Sequence, residues 1–167
     1  FGGKSKVGAS EALAGLLAKK SGRPVRLFLT RQEEFTTSGH RSALSIRMWT
    51  AAKKDGTLVA RRAESYVDNG AYNNVTPATA GVGGSICVSL YRVPAVRYDG
   101  YVVYTNKSWA NAFRGFGGPQ LVFAVETQMD QLAEEVGMDP LALRVKNSNQ
   151  PGDVTPVGWK IGTGGLQ

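Results

Sequence analysis

The stretch "SALSIRMWTAAKKDGTLVARRAESYVDNG", Ser42–Gly70, decides the fold. Before Asp55-Gly56, Leu44, Ile46 and Met48 alternate with Arg47 and Trp49. After it, Val59, Ala63 and Val67 share one parity. Period-two alternation on both sides of an Asp-Gly pair predicts two antiparallel strands joined by a tight turn. Asn69-Gly70 then predicts a second turn or a bulge.

Toward the amino terminus, "VGASEALAGLLAKKSG" predicts a helix. Ala9, Ala12, Leu13, Leu16 and Leu17 recur at helical spacing, and Gly22 and Pro24 follow as stop signals. "RPVRLFLT" alternates as a strand would, with Val25, Leu27 and Leu29 on one face and Phe28 on the other, the pattern of a strand buried on both faces. Thr30 and Glu33 have the spacing of a capping box for a short helix over "RQEEF".

Toward the carboxyl terminus, Pro77 and "GVGG" predict irregular chain over 73–85. "AVRYDGYVVYTN" predicts another strand, with Gly100 as a bulge. Pro119 stands where a helix begins. Phe123, Met129, Leu132, Ala133 and Val136 form that helix's apolar side, and Gly137 ends it. Asp139 and Pro140 open a last short helix. The predicted fold is α+β: an antiparallel or mixed sheet with packed helices.

The 167 residues suffice for one domain with a sizeable core. Net charge is +7, yet the basic residues are scattered, as on a solvated surface. Tyr98, Tyr101 and Tyr104 cannot share one strand face, so a nucleic-acid stacking platform is not expected. Cys87 and His40 are each the only residue of their kind. That excludes an internal disulfide, a cysteine-based metal site and a histidine-cluster metal site. No apolar run reaches the ~18 residues of a membrane span, and no membrane partner is expected. One cysteine and no signal-peptide pattern lead to the expectation of a cytoplasmic protein.

No Ser–His–Asp arrangement surrounds His40, and the Glu33-Glu34 and Glu134-Glu135 pairs read as solvated helix faces. Hard chemistry here would need a cofactor. "FGGK" is either an anion-holding turn or simply a tight turn before a helix. The chain starts inside that motif without Met and stops on "GTGGLQ". Residues 1–167 are therefore expected to be a fragment of a longer polypeptide.

"NAFRGFGGPQ", Asn111–Gln120, lies between the last strand and the long helix. Gly115 and Gly117 match the start of G-x-G-x-x-G, but Gln120 stands at the third glycine position, so a dinucleotide loop is rejected. Two readings stay open. Backbone N–H groups, Arg114 and an aromatic ring can hold a polyanionic cofactor beside a planar substrate. Alternatively, Phe113 and Phe116 plug the core. "TTSGHR", Thr36–Arg41, reads as an exposed turn rather than a cofactor contact.

Taken together, "FGGK", "SGRPVRLFLTRQEEFTTSGHR", "NAFRGFGGPQ" and "VGMDPLALRVKNSNQPGD" resemble the molybdenum-binding catalytic subunit of the xanthine dehydrogenase and aldehyde oxidase family. The resemblance runs from Phe1 to about Asp153 in the family's order. It implies that 1–167 is a fragment of that subunit's molybdopterin-binding domain. It also implies molybdopterin with molybdenum, often as the cytosine dinucleotide in bacteria, and iron–sulfur clusters and FAD on partner subunits or domains. On this resemblance Phe1, Gly2, Ala112, Phe113 and Arg114 line the cofactor, and Phe116 stacks on a planar substrate. None of these residues would ligate the metal directly.

Two positions depart from purine-type members. Ser5 replaces a glutamate, and Val82 stands in place of an arginine. Both would face substrate, and the change points to an aromatic, heteroaromatic or aldehyde substrate rather than xanthine. The family's catalytic glutamate motif is absent from this sequence, so no catalytic residue is expected within 1–167 and no turnover by it alone. The alternatives within this resemblance are a reductive subunit of the 4-hydroxybenzoyl-CoA reductase type and a non-catalytic docking domain.

Overall fold

The computed structural model describes residues 9–165. The elements run α1 (Ala9–Ser21), α2 (Arg31–Thr37), β1 (Leu44–Ala52), β2 (Leu58–Gly70), α3 (Thr76–Ser89), β3 (Ala95–Tyr104), α4 (Gly118–Val136) and α5 (Pro140–Asn147). The strands form one mixed sheet in the order β1-β2-β3. β1 is antiparallel to β2, and β2 is parallel to β3. A parallel pair needs a crossover connection, and α3 supplies it.

The hairpin forms around Asp55-Gly56. Gly56 N–H donates to the Lys53 carbonyl, and Lys53 N–H to the Thr57 carbonyl, both at 2.9 Å. Leu44 pairs with Val67 and Met48 with Ala63, so the predicted apolar faces meet. Val59 departs from the expected parity. The register passes from Ala51↔Ala60 to Ala52↔Leu58, leaving Val59 as an extra residue. This bulge turns Leu58 inward and Val59 outward.

The core lies between one sheet face and the pair α3–α4. Leu58, Ala63 and Cys87 pack there with Leu121, Val125, Met129 and Ala133 of α4, and with Leu143 of α5. The opposite sheet face is open among the described residues. It carries Trp49 beneath the Arg62 guanidinium and Tyr66 stacked on Tyr101, with ring centroids 5.0 Å apart.

Several expectations need correction. "RPVRLFLT" forms no strand. A strand requires a hydrogen-bonded neighbour, and the described chain offers this segment none; Phe28 is 78% exposed. The segment "GVGG" lies inside α3 rather than in irregular chain. Its glycines admit neighbours that a side chain would exclude: a Cβ on Gly84 would overlap the Tyr98 ring, and one on Gly83 would crowd Leu121 and the Gly117 carbonyl. Close packing thus offsets the poor helix propensity of glycine. Gly100 is no bulge, because β3 stays in register through Gly100↔Ser65. The register shift falls instead between Asp68 and Gly70, at the predicted Asn69-Gly70 irregularity. Phe123 is exposed rather than part of the buried side of α4, which is Leu121, Val125, Met129 and Ala133.

The helix signals hold. Thr30 and Glu33 form the capping box of α2. Gly137 ends α4 in the left-handed conformation, and the Asp139 carboxylate caps α5. The apolar face of α1 exists, but none of its residues is buried against the described chain.

Candidate functional site

The loop between β3 and α4 is built from an unusual backbone. Gly115, Phe116 and Gly117 all have positive φ, at 91°, 44° and 88°. For Phe116 that conformation is strained by about 1–2 kcal/mol. Two tight turns hold it: Phe116 N–H donates to the Phe113 carbonyl at 2.8 Å, and Gly118 N–H to the Gly115 carbonyl at 2.9 Å. Neither phenylalanine plugs the core. Phe113 is 40% exposed and Phe116 is half-buried.

A second segment runs alongside. His40 and Ala110 form a parallel bridge. Asn111 N–H donates to the His40 carbonyl at 2.9 Å, and His40 N–H to the Trp109 carbonyl at 3.4 Å. A Cβ on the buried Gly39 would overlap that of Asn111 and the Trp109 ring. "TTSGHR" is therefore not a free turn, as its polar composition suggested. Arg41 extends from it over the loop. Its Nη2 donates to the Arg114 carbonyl at 2.6 Å and its Nη1 to Gln120 Oε1 at 3.3 Å. The guanidinium sits 4.5 Å from the Phe113 ring centroid. Gln120 Nε2 completes the link by donating to the Ser42 carbonyl at 3.0 Å.

The predicted residues divide as follows. Ala112, Phe113, Arg114 and Phe116 share this loop. Val82 lies on α3 and its side chain is exposed; its neighbour Gly83 faces the loop, where a Cβ would come 3.2 Å from the Gly117 carbonyl oxygen. Phe1, Gly2 and Ser5 lie outside the described residues. Sequence reasoning missed Arg41 and Gln120. No local pattern marked them, since the hydrogen bond joining them spans 79 positions.

The loop suits an anionic group. The Arg114 side chain is exposed, and the turn presents bare glycine backbone at Gly115. The Phe116 and Gly118 N–H groups are spent within the turn, so the donor offered outward is the exposed guanidinium, which takes a phosphate or other polyanion.

Upstream, the Asp68 carboxylate ties the end of β2 to the chain entering the loop. It accepts from Gly70 N–H at 2.9 Å, Thr105 Oγ1 at 2.6 Å and Lys107 Nζ at 2.8 Å. Burial raises its pKa, but the bonds from Lys107, Thr105 and Gly70 outweigh burial and bring it down to about 2. A carboxyl lowered on folding from about 3.9 stabilises fully above that value and loses its effect as pH falls. Asp68→Asn should therefore be less stable than wild type at neutral pH. In thermal melts the difference should vanish as pH falls from about 4 to about 2.

The architecture is that of an α+β domain with the chain before β1 and the chain after β2 and β3 gathered at one end of a mixed sheet. Residues 1–148 match the molybdopterin cofactor-binding domain family, and the chain belongs to it. It is 44% identical over 149 residues to an aldehyde oxidoreductase of Megalodesulfovibrio gigas, covering 89% of this chain and 16% of that protein. It is 36% identical over 167 residues to a xanthine dehydrogenase molybdenum-binding subunit of Escherichia coli O157:H7, covering 99% of this chain and 22% of the relative. Among solved structures, the aldehyde oxidoreductase from Desulfovibrio gigas superposes with a TM-score of 0.88 at 41% identity, covering 96% of this chain and 18% of that one. Quinoline 2-oxidoreductase from Pseudomonas putida 86 gives 0.90 at 33% identity, covering 97% and 21%. The chain thus spans about a fifth of the length of these relatives. No helix among the described residues is long and apolar enough to cross a membrane.

Proposed function

We propose that this chain is part of the molybdopterin-binding region of a molybdenum-dependent hydroxylase or dehydrogenase. Its substrate would be an aromatic or heteroaromatic compound or an aldehyde. The observation that carries the reading is the braced left-handed run Gly115–Gly117, placed directly after the exposed Arg114 and against the α3 turn that carries Val82. Ala112, Phe113 and Arg114 would hold the cofactor, together with Phe1 and Gly2. The cofactor, in its cytosine dinucleotide form where the enzyme is bacterial, would supply two-electron redox chemistry at molybdenum.

The chain's own task is binding and orientation. Phe116 would stack on the flat substrate and hold its reacting carbon in line. Val82 and Ser5 would shape the pocket without the ionic contacts a purine needs. Iron–sulfur and flavin partners would carry electrons away. A cytoplasmic location is part of the same reading.

The test is Phe116→Ala in the full-length enzyme, with molybdenum content and steady-state kinetics measured on purine, N-heteroaromatic and aldehyde substrates. KM for the preferred substrate should rise about tenfold, in line with the loss of one stacked ring. Molybdenum content should stay at the wild-type level. Wild-type KM would remove the stacking role. Absence of molybdenum and pterin from the wild-type enzyme would leave a docking domain instead.

A further inference from the structure

We propose that Arg41 is a positioning residue for the Asn111–Gln120 loop, and that Gly39–Ser42 is the element that fixes the loop's working shape. Three contacts converge on its guanidinium: the Arg114 carbonyl at 2.6 Å, Gln120 Oε1 at 3.3 Å and the Phe113 ring. Each falls on a different part of the loop. The Arg114 carbonyl immediately precedes the three positive-φ residues. Phe113 precedes Arg114, and Gln120 lies in the first turn of α4. Arg41 therefore grips both ends of the strained run.

The rest of the segment gives that grip a fixed origin. Gly39 packs beneath Trp109, and the His40 backbone is bonded on both sides to 109–111. Ser42 is buried, and its carbonyl receives Gln120 Nε2. Arg41 and Gln120 thus brace each other's segments reciprocally. A planar fork that donates to two acceptors and also lies over a ring is specific to arginine, since an ammonium offers a point charge without the plane. Strain at Phe116 would relax if the carbonyl before it were released.

The geometry of the brace stands alone. Its functional consequence rests on the reading of the loop given under Proposed function. The experiment uses the full-length enzyme with Arg41→Ala, Arg41→Lys, Gln120→Ala and Arg114→Ala. Hydrogen exchange is followed in peptide 109–121 and in the β2 peptide, alongside Tm, molybdenum per polypeptide and KM. In Arg41→Ala the loop should exchange about tenfold faster while β2 stays at its wild-type rate, as expected for losing a charge-assisted hydrogen bond at one site. KM should rise about tenfold with kcat within about twofold. Arg41→Lys should not restore loop protection, and the Arg41→Ala/Gln120→Ala double variant should add less than the two single changes together.

Wild-type exchange of the loop in Arg41→Ala would overturn the proposal. So would equal acceleration in β2 with a fallen Tm, which marks a general structural residue. If Arg41→Ala loosens the loop while Arg114→Ala keeps wild-type molybdenum content and KM, the cofactor reading of the loop fails and the brace stands.

Discussion

Gly117→Val should cost at least ~4 kcal/mol, a large share of the ~5–15 kcal/mol that holds a domain together. Two effects add. Gly117 has φ 88°, a conformation that costs a side-chain-bearing residue about 1–2 kcal/mol. Its Cβ would also overlap the Thr79 carbonyl oxygen and press on the carbonyl carbon behind it. That obstacle is backbone inside α3, so no rotamer change removes it, and α3 and α4 would have to separate. The Leu121 N–H bond to the Gly117 carbonyl, the first of α4, would move with them. Gly137→Ala is the control: φ is 65° but nothing lies near its Cβ, so only the conformational cost of about 1–2 kcal/mol remains. Urea midpoints of the two variants measure the difference. Equal midpoints would show that the α3–α4 approach tolerates a side chain at Gly117.

The same contact explains what the sequence could and could not disclose. Caps and the Asp-Gly hairpin were legible because their partners lie within three or four positions. Thr30 with Glu33, Asp139 with Ala142 and Asp55 with Thr57 all complete their bonds locally. α3 was illegible because its glycines read as breakers, and what offsets their cost is Tyr98 and Leu121, distant in sequence. "RPVRLFLT" failed in the opposite sense. Its alternation was correct for a strand, but alternation specifies a face and not a neighbour. Val59 was misplaced by a single bulge, since one inserted residue reverses which face each side chain takes.

At the site, composition announced the loop and concealed its support. Glycines, an arginine and two aromatics in "NAFRGFGGPQ" pointed to a special backbone, and three consecutive positive φ angles are that backbone. Arg41 and Gln120 carried no such mark. Gln120 entered the sequence argument as the end of the quoted loop and as the residue that spoiled a dinucleotide motif, with no contact assigned to it, whereas its amide joins the Arg41 fork to the Ser42 carbonyl.

Arg61 should give the other large effect, and its sign should depend on what replaces it. The side chain is 2% exposed and lies in the core between β2 and both covering helices. Nε donates to Thr50 Oγ1 at 3.1 Å, Nη1 reaches the Cys87 carbonyl at 3.4 Å, and Nη2 reaches the Met129 sulfur at 3.5 Å. Its guanidinium stands 5.9 Å from the Tyr91 ring centroid. Among the described residues no carboxylate pairs with it. Glu126 is engaged by the Tyr91 hydroxyl at 2.8 Å and by Arg144 Nε at 2.7 Å. Burial pushes the Arg61 pKa down, against the opposing influence of Cys87, Tyr91 and Glu126. A cation held by two weak contacts and one good hydrogen bond returns little of its desolvation cost. Arg61→Ala removes the charge but leaves a cavity between three elements, and should cost about 3–5 kcal/mol. Arg61→Met fills much of the same volume without a charge, and should lie within about 1 kcal/mol of wild type or above it. Thr50 keeps its hydroxyl bond to Gln128 in either variant, so the contrast isolates volume from charge. Denaturant unfolding of the pair decides the matter: equal losses in both variants would mean that the buried guanidinium itself, rather than the space it fills, holds the sheet to α3 and α4.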